Sequence, residues 1–219
     1  MEIKKSLSCR EIRKSDVIGS DNEKLGRIGD MTFTFNGTLS LTHFILAGPA
    51  FEEFLESIKI RPNRDPVFDA SMIKRIDEKV YLNTSRNSLK TTLDKDSIGK
   101  DEIKLSKLEK LSIYDQKGVS VGKAIDVEFD VDGCASLIVG GGFFEEKLEA
   151  LGLKADVDII VPAQVIKSIG ETIDLNVDKE NLSLTMEEAV KSEMAAKAKD
   201  DMVTHRQISK VRLYAQRPI

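Results

Sequence analysis

Leu25-Gly26-Arg27-Ile28-Gly29-Asp30-Met31-Thr32-Phe33-Thr34-Phe35-Asn36-Gly37 returns in the same chain as Val121-Gly122-Lys123-Ala124-Ile125-Asp126-Val127-Glu128-Phe129-Asp130-Val131-Asp132-Gly133. The shift from Gly26 to Gly122 is 122 − 26 = 96 residues, and it also carries Asp30 to Asp126, Phe33 to Phe129 and Gly37 to Gly133. Phe33 and Phe35, like Phe129 and Val131, recur at period 2, the spacing of side chains on one face of a strand. Asn36-Gly37 and Asp132-Gly133 are the dipeptides of two-residue type I′ hairpins, whose central residues both need positive φ. The chain therefore reads as two related β units.

Working outward, Leu39-Ser40-Leu41-Thr42-His43-Phe44-Ile45-Leu46 is the return strand, ended by Gly48-Pro49. Phe51, Phe54, Leu55 and Ile58 stand at i, i+3, i+4 and i+7, a short amphipathic helix. The second copy offers Phe144 to Leu151 there, now shifted by 144 − 51 = 93 residues, and that shift also relates Ile73-Lys74-Arg75-Ile76 to Ile166-Lys167-Ser168-Ile169 and Leu82-Asn83 to Leu175-Asn176. Short strands are expected at Pro66–Phe68, Lys79–Leu82, Asp158–Pro162 and Thr172–Leu175. Each repeat is then five or six short strands with one helical turn, the pattern of a small barrel.

Ser8-Cys9-Arg10-Glu11 has the spacing of a capping box, but its surroundings to Ser15 are too polar to specify a helix from sequence. The polar stretch Asn83 to Asp101 reads as a linker, and Ile103 to Leu111 as the opening of the second unit. Thr185-Met186-Glu187-Glu188 reads as a capping box that opens a helix to about Val203. Met186, Val190, Met194 and Met202 give that helix only a thin stripe, as in a partner-binding arm or a solvated extension. The expected layout is mainly β: a first barrel over 1–83, a linker over 84–103, a second barrel over 104–180, and a C-terminal helix with a basic tail over 181–219.

The 219 residues are 41% hydrophobic, 32% charged and only 5% aromatic, with no Trp. That excludes a broad platform for stacking bases, and the net charge of −4 opposes a phosphate backbone. The acid-free tail from His205, with Arg206, Lys210, Arg212, Tyr214 and Arg217, is the one local basic feature. Two distant cysteines, Cys9 and Cys134, make neither a disulfide framework nor a metal site. The N-terminus lacks an apolar signal core, so a soluble cytoplasmic protein is expected.

No Ser/His/Asp order, HExxH or CxxC occurs, and no cofactor, metal or catalytic residue is expected. His43, in an apolar strand, calls for a hydrogen-bond partner more than for a substrate. The pair Asp130 and Asp132 resembles the start of a calcium loop, yet position 12 counted from Asp130 is Gly141, where a Glu is needed. Gly140-Gly141-Gly142 precedes a helix without the P-loop lysine, and Glu145 and Glu146 would repel an anion. Asp30 and Asp126 read as carboxylates that accept backbone amides at a corner, beside the structural turns at Gly26, Asn36, Gly37, Gly122, Asp132 and Gly133. The apolar stripes Phe51, Phe54, Leu55, Ile58 and Phe143, Phe144, Leu148, Leu151 either plug their own unit or meet a protein partner, including a second copy of the chain.

A hydrophobic-Gly-basic-hydrophobic-x-Asp strand, then F-x-F-N-G or F-x-V-D-G, then an apolar return strand resembles the PRC-barrel family. The segment Val161 to Glu171 fits that family's closing strands, and the likeness covers roughly Ser15–Asn83 and Leu108–Val177. The first copy departs from it at Gly29, where the second has Ile125, and in its longer loop Lys59 to Asp65. The tandem arrangement is similar to small archaeal members, which implies a non-enzymatic adaptor that binds cell-division proteins. The ribosome-maturation relatives imply the alternative, an RNA-linked accessory role.

Overall fold

In the computed structural model the polar opening is a helix after all. Ser8 N donates to Glu11 Oε2 at 2.8 Å and Glu11 N donates to Ser8 Oγ at 3.3 Å, so the capping box is complete. Two buried side chains, Cys9 and Ile12, anchor the short helix from below. We expect Ser8→Ala to destabilise the protein by about 1 kcal/mol, read as a fall of about 2–4 °C in a thermal melt of a chain this size. The structure describes residues 2–3, 5–48, 58–60, 62, 64–153, 157–200 and 208–213, with side chains to 196 in the last helix.

The chain divides into two units, Met1–Lys107 with Val127–Ala135, and Leu108–Asp126 with Ser136–Ile219. The first holds β1 (Glu2–Ile3), β2 (Leu7–Ser8), α1 (Cys9–Arg13), β3 (Asp16–Ile18), β4 (Lys24–Phe35), β5 (Leu39–Ala47), β6 (Pro66–Asp69), β7 (Ile73–Ile76), β8 (Val80–Leu82), β9 (Lys90–Thr91), β10 (Ile103–Lys104) and α2 (Leu105–Leu108). Its sheet runs β1-β7-β8-β3-β4-β5-β6-β9, with β10 on β4. Phe33, Phe44, Phe68, Met31, Val17 and Val80 are buried there, and Phe44 stacks on Phe68 with ring centres 5.1 Å apart.

The second unit holds β11 (Ser112–Tyr114), β12 (Ser120–Phe129, ending in the first unit), β13 (Ala135–Gly140), α3 (Phe143–Ala150), β14 (Asp158–Pro162), β15 (Ile166–Ile169), β16 (Ile173–Leu175), α4 (Lys179–Asp200) and β17 (Lys210–Arg212). The second sheet runs β15-β16-β11-β12-β13-β14-β17, and β2 joins the tip of β12. Neither path returns to its first strand among the described residues, and the structure is mainly β with two sheets. No helix among the described residues is long and apolar enough to cross a membrane.

The first unit contains a reciprocal exchange between the sequence repeats. Leu7 and Ser8 of the first repeat lie opposite Phe129 and Glu128, and Ile103 and Lys104 of the second lie opposite Phe33 and Thr32. Both members of each pair differ by the same 96 residues, so one geometry is used twice. Phe33 and Phe129 face each other with ring centres 6.2 Å apart. This pairing is why Met31, Thr32 and Phe33 are buried in succession instead of alternating.

Several expectations are corrected. The hairpins are not type I′, because Asn36 and Asp132 keep negative φ and only Gly37 (φ 89°) and Gly133 (φ 80°) are positive. Gly133 N donates to Asp130 O and Asp130 N to Cys134 O, while the Asp130 carboxylate accepts from the amides of Asp132 and Cys134. A three-residue loop with its glycine in the bulge position results. Val131 belongs to that turn and is 57% exposed, so it does not share the buried face of Phe129.

The stretch 84–103 is not a bare linker: it carries a 3-10 turn at Arg86–Ser88, β9 paired with β6, and Ile103 of β10. The last helix starts at Lys179, capped by Asp178 Oδ1 accepting from Asn181 N at 2.9 Å. Thr185 lies within it, bonding back to the carbonyls of Asn181 and Leu182. Leu182, Met186, Ala189 and Val190 are buried and the helix packs on β17, so its first half is part of the core and no arm. Lys210 and Arg212, expected in a basic tail, belong to a strand that pairs with β14. The helix expected over Phe51 to Ile58 lies outside the described residues apart from Ile58, which is 46% exposed. His205, Arg206, Tyr214 and Arg217 also lie outside them.

Candidate functional site

Among the described residues of the first unit, a dense polar arrangement surrounds Glu102, just before β10. Neighbouring strands β4 and β5 present Thr32, Thr42 and His43 to it. Thr32 Oγ1 donates to Glu102 Oε2 at 2.5 Å and Thr42 Oγ1 to the same oxygen at 2.7 Å. His43 Nδ1 lies 2.9 Å from that oxygen, which sets the proton on Nδ1, and Gly99 N donates to Oε1 at 2.8 Å. The Glu102 side chain is 8% exposed, so the carboxylate is nearly enclosed.

Burial by itself would raise the Glu102 pKa. The four donors, Thr32, Thr42, His43 and the Gly99 amide, overcome it and lower the carboxyl to about 2. On the far side of the imidazole, Nε2 is 4.0 Å from Asp69 Oδ2. The Asp69 carboxyl is also held low, first by its bond with Ser71, with burial opposing.

A carboxylate on Nδ1 is how catalytic triads orient a histidine. Here Nε2 faces the Asp69 carboxylate at 4.0 Å. The array joins the segment before β10 to β4 and β5. Among the described residues no group of three or more His, Cys, Asp or Glu could hold a metal.

A second carboxylate does similar work. Asp30 Oδ1 accepts from Met31 N at 2.9 Å, Ser106 N at 3.2 Å and Arg13 Nη2 at 3.3 Å, and Oδ2 accepts from Ser106 Oγ at 2.6 Å. Asp30 thereby fastens α1 and α2 to β4. Its counterpart Asp126 is buried.

In the second unit the glycine run is closed by the chain itself. Glu145 Oε1 accepts from Gly141 N at 3.0 Å, occupying the amide that an anion would use. Gly141 and Gly142 both have positive φ. Phe144 and Leu148 of the expected interaction stripe are buried in their own unit, whereas Phe143 and Leu151 are half-buried, with Lys179 Nζ 4.9 Å from the Phe143 ring centre. Phe51, Phe54 and Leu55 of the first stripe lie outside the described residues. Gly26 and Gly122 sit in β4 and β12 with φ of 146° and 152°. Cys9 is buried and Cys134 exposed, both as free thiols.

Asp115 stitches this unit's other end together. It accepts from the amides of Lys117, Val119 and Lys179, joining the β11–β12 turn to the start of α4. Sequence reasoning missed Glu102 and Asp115. The signal for the first was His43 itself, an imidazole between Thr42 and Phe44 in an apolar strand, which needs a buried acceptor.

No curated protein matches the chain. One family does, over a stretch that begins just before β10 and ends within the first turn of α4: a PRC-barrel domain is found at residues 100–182.

Proposed function

We propose that this chain is a non-enzymatic adaptor of two PRC-like barrels in tandem, working in the cytoplasm of an archaeal cell by binding cell-division proteins. The observation that carries this reading is the use made of the polar side chains. Glu102, His43, Asp30 and Asp115 each hold two or more separate segments of the chain together, a use that supports an architectural role for these groups. The domain match over residues 100–182 supports the barrel assignment of the second repeat. The shared 96-residue register supports extending it to the first.

Immobilised full chain incubated with an archaeal lysate is expected to retain division proteins. Retention of ribosomal proteins instead, or a salt-dependent mobility shift with ribosomal RNA, would transfer the reading to ribosome maturation.

A further inference from the structure

The two repeats carry the same strand pair in the same register at one side of their sheets. In the first, Ile73, Arg75 and Ile76 of β7 lie opposite Leu82, Tyr81 and Val80. In the second, Ile166, Ser168 and Ile169 of β15 lie opposite Leu175, Asp174 and Ile173. Every residue differs by 93, and both pairs are bulged at the same step. They differ on the outside. β7 is covered by β1, parallel to it, with Glu2 opposite Arg75 and Ile3 opposite Ile76. Among the described strands nothing covers β15, which ends its sheet.

The side chains record the difference. Ile76, beneath β1, is 1% exposed, whereas its counterpart Ile169 is half-buried. An open strand edge presents a row of unpaired amides and carbonyls that another chain can join. The geometry points to β15 as the docking edge for an extended segment of a protein partner, running parallel to it as β1 runs along β7. This deepens the adaptor reading and rests on it.

Charge fixes the chemistry of that segment. On β7, Arg75 lies 4.0 Å from the Tyr81 ring centre and bonds Asp77, and in backbone register the covering strand places Glu2 opposite it. On β15 the equivalent place is Ser168, whose Oγ donates to Asp174 Oδ2 at 2.8 Å. A carboxylate thus stands where the first repeat has an aromatic ring and a guanidinium. An acidic residue brought opposite Ser168 would meet like charge, so the matching segment carries a base there, followed by a branched aliphatic residue against Ile169. The chain's own opening, with Glu2 before Ile3, has the wrong sign for this edge.

The test uses the full, isotope-labelled chain and two capped peptides, acetyl-Ser-Lys-Ile-Thr-amide and the same peptide with Glu for Lys, followed in amide proton–nitrogen spectra. At millimolar concentration the Lys peptide is expected to shift the amides of residues 166–169 and 174, and the Glu peptide to shift them several-fold less. Asp174→Asn should bring the two peptides to similar effect, and Ile169→Asp, in a chain whose remaining spectrum is unchanged, should abolish both. Absence of shifts at β15, shifts confined to other residues, or equal shifts from the two peptides on the unaltered chain would overturn the proposal. Lysate capture reads the adaptor function separately: partners retained by a chain whose β15 amides ignore both peptides would remove this edge and leave that function standing.

Discussion

Gly122→Ala is expected to destabilise the protein by about 3 kcal/mol or more, whereas Gly26→Ala, at the same place in the other repeat, costs about 1–2 kcal/mol. Both glycines adopt φ near 150°, a region that a side chain at Cα disfavours, so each substitution carries backbone strain. What separates them is space. A Cβ on Gly26 would have one near neighbour, Ala47 O at 3.2 Å. A Cβ on Gly122 would meet Gly140 O at 2.7 Å, Gly141 O at 2.9 Å and Phe144 Cδ2 at 2.8 Å. Two of these are backbone atoms, one at the end of β13 and one in Gly141, which already holds positive φ, and the third belongs to a fully buried ring. None can move aside without disturbing β13 or α3. Urea denaturation of the two variants measures the contrast directly. Equal losses would mean that the glycine turn yields, and that the packing of Phe144 over Gly122 does not fix this corner.

The strands were legible because a duplicated pattern marks them twice. Phe33 and Phe129, the apolar run Phe44-Ile45-Leu46, and the 93-residue match of Ile73–Ile76 with Ile166–Ile169 all fall in observed strands. What could not be read is where a short strand pairs. Ile103-Lys104 looks like the opening of the second repeat, and nothing local in two residues says that it crosses to β4. The same crossing brings Glu102 beside His43, so an error about a linker concealed the site as well. Turn geometry failed for a related reason: Asp130 takes the amides of Asp132 and Cys134 on its own side chain, and that bonding holds Asp132 out of the positive-φ region. In α4 the spacing Thr185 to Glu188 imitated a cap, while the true cap, Asp178, lay about two turns earlier and made Leu182 a core residue.

Acid should withdraw the stability that the Glu102 array contributes, and Glu102→Gln should remove that sensitivity. The sign follows from the folded pKa of about 2, below the ordinary carboxylate value of 4.5. A group depressed on folding contributes stability that is complete above its unfolded pKa and is lost as pH falls from about 4.5 towards about 2. At neutral pH the variant loses the charge-assisted bonds from Thr32, Thr42 and His43, and its amide turns a donor towards groups that also donate. A cost of about 2–4 kcal/mol is expected there. Protonated Glu102 also offers a donor, so at about pH 2 the two proteins should converge in stability. Denaturant midpoints of both proteins across pH 2–7 give the comparison, with the gap closing only in the acid limb. Two parallel curves would show that folding does not shift the Glu102 pKa, and that the threonines and His43 hold the segment before β10 without favouring its charge.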